Sequence, residues 1–150
     1  MNKFMKEAII EAEIGIGKGC GGPFGAVVVK GEKIVGRGHN EVLKNNDPTA
    51  HAEVQAIRDA CKNLGTYDLQ GCEIYATGQP CPMCFGAIQW ANIGHIFFGG
   101  NEQDIENIGF RDKKFRNEGS AGNLDQTEIS RKECLKLFQT YCDMPNKTNY

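Results

Sequence analysis

The chain has 150 residues, 40% of them hydrophobic and 24% charged, with 17 Lys and Arg against 19 Asp and Glu. That length suits a single domain with a full core, and no apolar stretch nears the ~20 residues that span a bilayer. A net charge of −2 and a pI of about 5.9 argue against a protein built mainly to grip phosphate backbones. The opening residues Met1-Asn2-Lys3-Phe4-Met5-Lys6-Glu7 carry charges where a secretion signal needs an apolar run. Seven cysteines, an odd number, fit a reducing cytoplasm in which thiols pack, bind metal or react.

Met5, Ala8, Ile9, Ala12 and Ile16 recur at helical spacing and predict a helix over residues 1–16, ended by a cluster of glycines. Two β-branched runs, 24–30 and 33–38, flank the turn Lys30-Gly31-Glu32 and read as a hairpin. The turn Asn45-Asn46-Asp47-Pro48 leads into a helix over 49–64, with Ala52, Ala56, Ile57, Ala60, Cys61 and Leu64 on one side. A strand follows at 73–77, then a helix from Pro80 to 91, then a strand at 94–100 around Ile96-Phe97-Phe98. Residues 101–126 are weakly patterned. Ser130-Arg131-Lys132-Glu133 has the form of a capping box and predicts a last helix to Tyr141. Strands alternating with helices after the first hairpin predict one α/β domain over 1–150, with a mixed sheet.

Two short motifs carry chemistry: His51-Ala52-Glu53 and Pro80-Cys81-Pro82-Met83-Cys84. Each stands at the start of a predicted helix. Catalytic zinc takes three protein ligands and keeps one position open for water, and His51, Cys81 and Cys84 supply three. Cys81 and Cys84 are three residues apart, so a helix turns them the same way, and the helix N-terminus favours thiolate. One imidazole and two thiolates bring zinc to formal neutrality. Residues two apart on a helix lie about 200° apart, so His51 and Glu53 reach one centre only if the helix begins there. Glu53 is then free to carry a proton between water and substrate. The competing reading is a closed structural zinc site with Cys72 or His95 as fourth ligand, a zinc-stabilised binding module.

The order H-x-E…P-C-x-x-C is the signature of zinc deaminases. The chain resembles the cytidine-deaminase-like zinc nucleobase deaminases and, among them, small bacterial guanine deaminases. The matching residues are 21–27, 46–53, Pro80 to Cys84 with Gly86-Ala87-Ile88 and Trp90-Ala91, then Gly109-Phe110, Asp112 and Phe115. The resemblance implies a three-layer α/β/α fold with a mixed central sheet, one zinc ion and hydrolytic release of ammonia. It also implies that Asn40, Phe24, Trp90, Asp112 and Tyr150 contact the base. Asn40 would donate and accept at once, Asp112 would accept from guanine N–H groups, and Tyr150 would close the site. It implies a homodimer as well, in which the C-terminal segment 101–150 crosses to complete the partner's site. Gln79 departs from the acid usual before Pro80. The Gly-rich stretch 117–123 is shorter than in guanine deaminases and is similar to that of tRNA adenosine deaminases.

Together these features predict a cytoplasmic purine-base deaminase that converts guanine to xanthine and ammonia, with no membrane or nucleic-acid partner. The backbone N–H of Ala52 would steady the substrate oxygen. A tRNA adenosine deaminase is the main alternative, with guanosine or cytosine as other substrates. Binding tRNA would call for a basic face, and Arg131, Lys132 and Lys136 are offset by Glu128 and Glu133.

Overall fold

The computed structural model describes residues 1–116 and 124–150, so the Gly-rich stretch 117–123 lies outside the described residues. The strands are β1 (Gly25–Lys30), β2 (Lys33–His39), β3 (Cys72–Gly78), β4 (His95–Gly100) and β5 (Gln126–Glu128). They form one sheet in the order β2-β1-β3-β4-β5. β1 runs antiparallel to both β2 and β3, while β3, β4 and β5 are parallel, so the sheet is mixed.

The helices are α1 (Lys3–Gly17), α2 (Val42–Asn45), α3 (Ala52–Leu64), α4 (Pro82–Trp90), α5 (Glu102–Asn107), α6 (Asp112–Phe115) and α7 (Arg131–Cys142). Side chains alternate across β1, and both faces are covered. Ala26 and Val28 join Ala52, Ala56, Ala60 and Ile88 of α3 and α4 on one face. Val27 and Val29 join Phe4, Met5 and Ala8 of α1, with Cys134 of α7, on the other. The result is the expected three-layer α/β/α arrangement. Helix α3 lies close on β2 because Gly36 and Gly38 carry no side chains there. A Cβ at Gly36 would stand 2.4 Å from the Ala56 carbonyl oxygen, and one at Gly38 would stand 2.5 Å from the Ala56 nitrogen. This contact holds the start of α3 beside the end of β2, where the site is built.

Three local expectations are corrected. Helix α3 begins at Ala52 rather than residue 49 because Asp47 holds a turn. Its carboxylate accepts from the Thr49 N–H at 2.8 Å and from the Thr49 hydroxyl at 2.7 Å. Ser130 caps nothing: it adopts a left-handed backbone at φ 52° and makes no side-chain cap bond. A capping box forms instead at Asn101 and Asp104, opening α5 inside the weakly patterned stretch. Asp104 also accepts two bonds from Arg131, at 2.7 and 2.8 Å, which ties α7 to α5.

Candidate active site

β2 ends, β3 ends and β1 begins at one edge of the sheet, because β1 is antiparallel to both neighbours. The loops leaving that edge carry Phe24 before β1, Asn40 after β2 and Gln79 to Cys81 after β3. Ligands bind at such strand ends in open α/β sheets. A cavity of about 300 Å³ opens there, lined by Phe24, Asn40, His51, Glu53, Cys81 and Asp112 among others.

His51 is the N-cap residue of α3, with an extended backbone at φ −71°, ψ 156° and no side-chain cap bond. Its imidazole is therefore free to face the cavity. Glu53 stands in the first turn and is buried. Both residues reach one centre because the helix starts between them. Cys81 has the same place at α4: it is the N-cap residue, Pro82 opens the helix, and Cys84 follows in the first turn.

His51 Nδ1 lies 3.5 Å from Cys81 Sγ and 3.6 Å from Cys84 Sγ. A tetrahedral zinc with Zn–S near 2.3 Å and Zn–N near 2.05 Å sets nitrogen and sulfur about 3.6 Å apart. The donor atoms thus have the spacing and chemistry that zinc takes, and all three lie within 4.8 Å of one another. Among the described residues this is the one such cluster. Cys72 and His95 begin β3 and β4, at the opposite ends of those strands from the cavity, so neither is a fourth ligand.

The electrostatics suit a metal and a proton carrier. Hydrogen bonding from Cys84, with help from His51, draws the Cys81 thiol down to about 4 against the effect of burial. Cys84 is held well above its ordinary value by its bond to Cys81 and by burial. A cation bound here would displace the proton that Cys84 keeps. Burial, reinforced by the Cys81 charge, pushes the Glu53 carboxyl up to about 7. Its Oε2 accepts from Cys84 Sγ at 3.4 Å. A carboxyl poised near neutrality can both take and give a proton.

Asn40 is 1% exposed, and its Oδ1 accepts from the Val42 N–H at 3.0 Å, which leaves its amide N–H groups for a ligand. Asp112 opens α6 and lines the cavity, with its pKa raised by burial and the Cys81 charge against the pull of His51 and Arg116. Phe24 meets Phe110 edge to face with ring centroids 5.0 Å apart, so it is cavity wall and core at once. Tyr150 lines the cavity, and its hydroxyl accepts from the Gly22 N–H at 2.8 Å. Ala52 is the first residue of α3, whose N–H has no acceptor within the helix.

Trp90 is a correction. It sits at the far end of α4, 87% exposed and outside the cavity, so it neither stacks on a ligand nor fills the core. The sequence reading also passed over Val42, Ile105 and Arg111, which line the cavity. Val42 and Ile105 read as ordinary apolar residues. The Asn101–Asp104 capping box was the available signal for α5, the helix that carries Ile105.

Three zinc-type donors on one side of a small cavity, with a buried carboxylate beside them, have the composition of a zinc-dependent hydrolytic centre. Comparison with known proteins agrees. Residues 1–100 match the family model of the cytidine and deoxycytidylate deaminase zinc-binding region. The guanine deaminase of Bacillus subtilis is 42% identical over 151 residues, 98% of this chain and 97% of that protein. Its crystal structure aligns with 100% of this chain and 99% of that one at a TM-score of 0.72. A guanine deaminase structure from Nitrosomonas europaea, 27% identical, aligns over 94% and 84% at a TM-score of 0.83. A tRNA-specific adenosine deaminase of Buchnera aphidicola subsp. Schizaphis graminum is 40% identical over 119 residues, 79% of each protein. The chain belongs to the cytidine and deoxycytidylate deaminase family, whose members are zinc-dependent hydrolytic enzymes.

Proposed function

We propose that the protein deaminates guanine, which with one water gives xanthine and ammonia. The observation that carries this reading is the lining of one small cavity by Asn40, Asp112 and Glu53 beside the zinc ligands. Its volume, about 300 Å³, stands at the lower end of small-molecule pockets and has room for a purine base. Near-full-length identity to a guanine deaminase supports the same substrate.

His51, Cys81 and Cys84 would hold a zinc ion, which when bound would supply a polarised water of lowered pKa. Glu53 accepts the proton that this water gives up. The carboxyl returns that proton to the ring nitrogen beside the amino-bearing carbon, then takes the second proton from the hydroxyl now on that carbon and gives it to the departing amine. Asn40 fixes the base by amide hydrogen bonds. Asp112 accepts from guanine N–H groups, a choice that disfavours bases lacking those donors. The Ala52 N–H supplies a donor that needs no reorganisation to meet an oxygen.

The tRNA reading is weaker. Arg131, one of the three cations it would use, is already engaged by Asp104. The deciding experiment measures ammonia release from guanine, guanosine, adenine, cytosine and a tRNA anticodon stem-loop. Guanine is expected to be turned over far faster than the others. Robust turnover of the stem-loop alone would refute the assignment.

The proposed assembly is a cytoplasmic homodimer with exchange of segment 101–150. All seven cysteines are free, which supports a reducing compartment. No described helix is long and apolar enough to cross a membrane. Met83 and Trp90 are exposed apolar residues on one side of α4, about two turns apart, which supports pairing. In the single chain, Asp112 and Tyr150 close their own cavity. Exchange would rebuild the same contacts between two copies. Refolding Glu53→Ala together with Asp112→Ala checks this. With exchange and random pairing, half the dimers are mixed and half their sites are whole, so about a quarter of parental activity returns. Mixed dimers that stay inactive would show Asp112 acting within its own chain.

A further inference from the structure

Arg116 follows α6, at the opposite end from Asp112, and takes no part in the chemistry above. Its side chain is only 17% exposed. One terminal nitrogen, Nη2, donates to the carbonyl oxygens of Gln79 at 3.2 Å and Pro80 at 2.8 Å. Nε lies 3.1 Å from the Glu102 carboxylate, close enough for an ion pair though not aligned as a hydrogen bond. Glu102 is tied to the same loop, because its N–H donates to Gln79 Oε1 at 3.1 Å. The Gln79 N–H in turn donates to the Gly100 carbonyl at 2.7 Å. Gln79 therefore has a role that needs no negative charge: its amide oxygen caps an N–H of α5 while its carbonyl receives Arg116.

Helix α6 has four residues and no side-chain cap at its start. A single turn of that kind does not hold its own geometry in water. Something must fix it relative to the zinc-binding loop if Asp112 is to meet a base at a set distance. A guanidinium suits this task, since its planar donors are fixed with respect to one another and it stays charged. The Arg116 contacts join the end of α6, the start of α5 and the loop just before Cys81.

We infer that Arg116 is a positioning residue, which clamps α6 to the Gln79–Pro80 carbonyls and thereby holds Asp112 in place for the base. The inference rests on the reading of Asp112 as a base-binding residue. Nothing in the chemical step passes through Arg116 itself.

A double-mutant cycle on the zinc-loaded full chain tests it, with 8-azaguanine as probe. Binding is read by titration calorimetry, and zinc content is measured on every variant. Arg116→Ala is expected to weaken 8-azaguanine about fivefold or more in the parent background, and less than about twofold in Asp112→Ala. Once the Asp112 carboxylate is gone, its clamp has nothing left to position. Equal losses in both backgrounds overturn the inference, as does binding within twofold of the parent. Loss of zinc from Arg116→Ala also overturns it, because the residue would then act on Cys81 instead. Arg116→Gln repeats the cycle with the stem and one donor group retained. If neither variant folds, Arg116 is a structural residue and the positioning role is refuted. Should the parent not bind 8-azaguanine, the guanine reading fails. The cycle then uses the base identified by ammonia release, and the same coupled pattern is required of it.

Discussion

Glu53→Gln is expected to leave a folded protein with one zinc per chain and to lower turnover by at least ~10²–10⁴-fold. The two side chains have nearly the same shape, and Glu53 is buried in the first turn of α3, so the packing around it survives. An amide cannot shuttle a proton at neutral pH. Glu53 serves more than one transfer, first from water and then to the base and its leaving group, so the loss compounds. Burial holds the carboxyl up at about 7, which means its charged form is costly where it sits. Gln removes that cost, and the melting temperature should stay level or rise. Zinc analysis, a thermal melt and ammonia release together make the check. Activity within tenfold of the parent would rule out Glu53 as the proton carrier, whereas a purely structural zinc site would lose nothing.

The second large effect is on the metal. Cys84→Ala is expected to lose stoichiometric zinc and all turnover. Cys84 is fully buried, and its sulfur lies 3.6 Å from His51 Nδ1 and 3.4 Å from Glu53 Oε2, so the nearest substitute donor is the carboxylate needed for proton transfer, and turnover is lost even if it binds metal weakly. His51 and Cys81 alone form a two-ligand site, too weak to keep zinc against dialysis. Cys81 also loses the hydrogen bond that most favours its thiolate. Metal that binds the folded state adds to stability, so a chelator should lower the melting temperature of the parent and leave that of Cys84→Ala unchanged. A variant that keeps one zinc per chain would show that the ligand set is wrong.

Much of the site was legible because its chemistry is written in short-range spacing. His51 and Glu53 are two residues apart, which helical geometry reconciles only at a helix start. Cys81 and Cys84, opened by Pro82, repeat the device. A zinc with three ligands and a nearby carboxylate follows from those residues alone, and so does the α/β alternation that carries them. The wall of the cavity was less legible. Asp112 and Tyr150 are far from His51 in sequence and reach it only when α6 and the last residues fold over the strand ends. Their part was inferred from resemblance, since nothing in their local sequence announces it.

Where local reading went astray, a competing turn or a contact distant in sequence decided. The turn held by Asp47 delays α3 by three residues. Ser130 has the neighbours of a helix cap, but its left-handed backbone and the pull of Asp104 on Arg131 give that corner another solution. Strand β5 is three exposed polar residues, Gln126–Glu128, and exists because β4 offers it a ladder. Trp90 looks like core or stacking surface until α4 is seen to turn it outward. The sequence by itself determined the layered α/β class and brought together the proposed metal ligands His51, Cys81 and Cys84 and the proposed proton carrier Glu53, because a helix start and a three-residue spacing are set by backbone geometry within one turn. Only the tertiary structure decided which side chains line the cavity, how Arg116 ties α6 to the loop before Cys81, and that Trp90 stands apart, because those outcomes depend on how separate elements pack against one another.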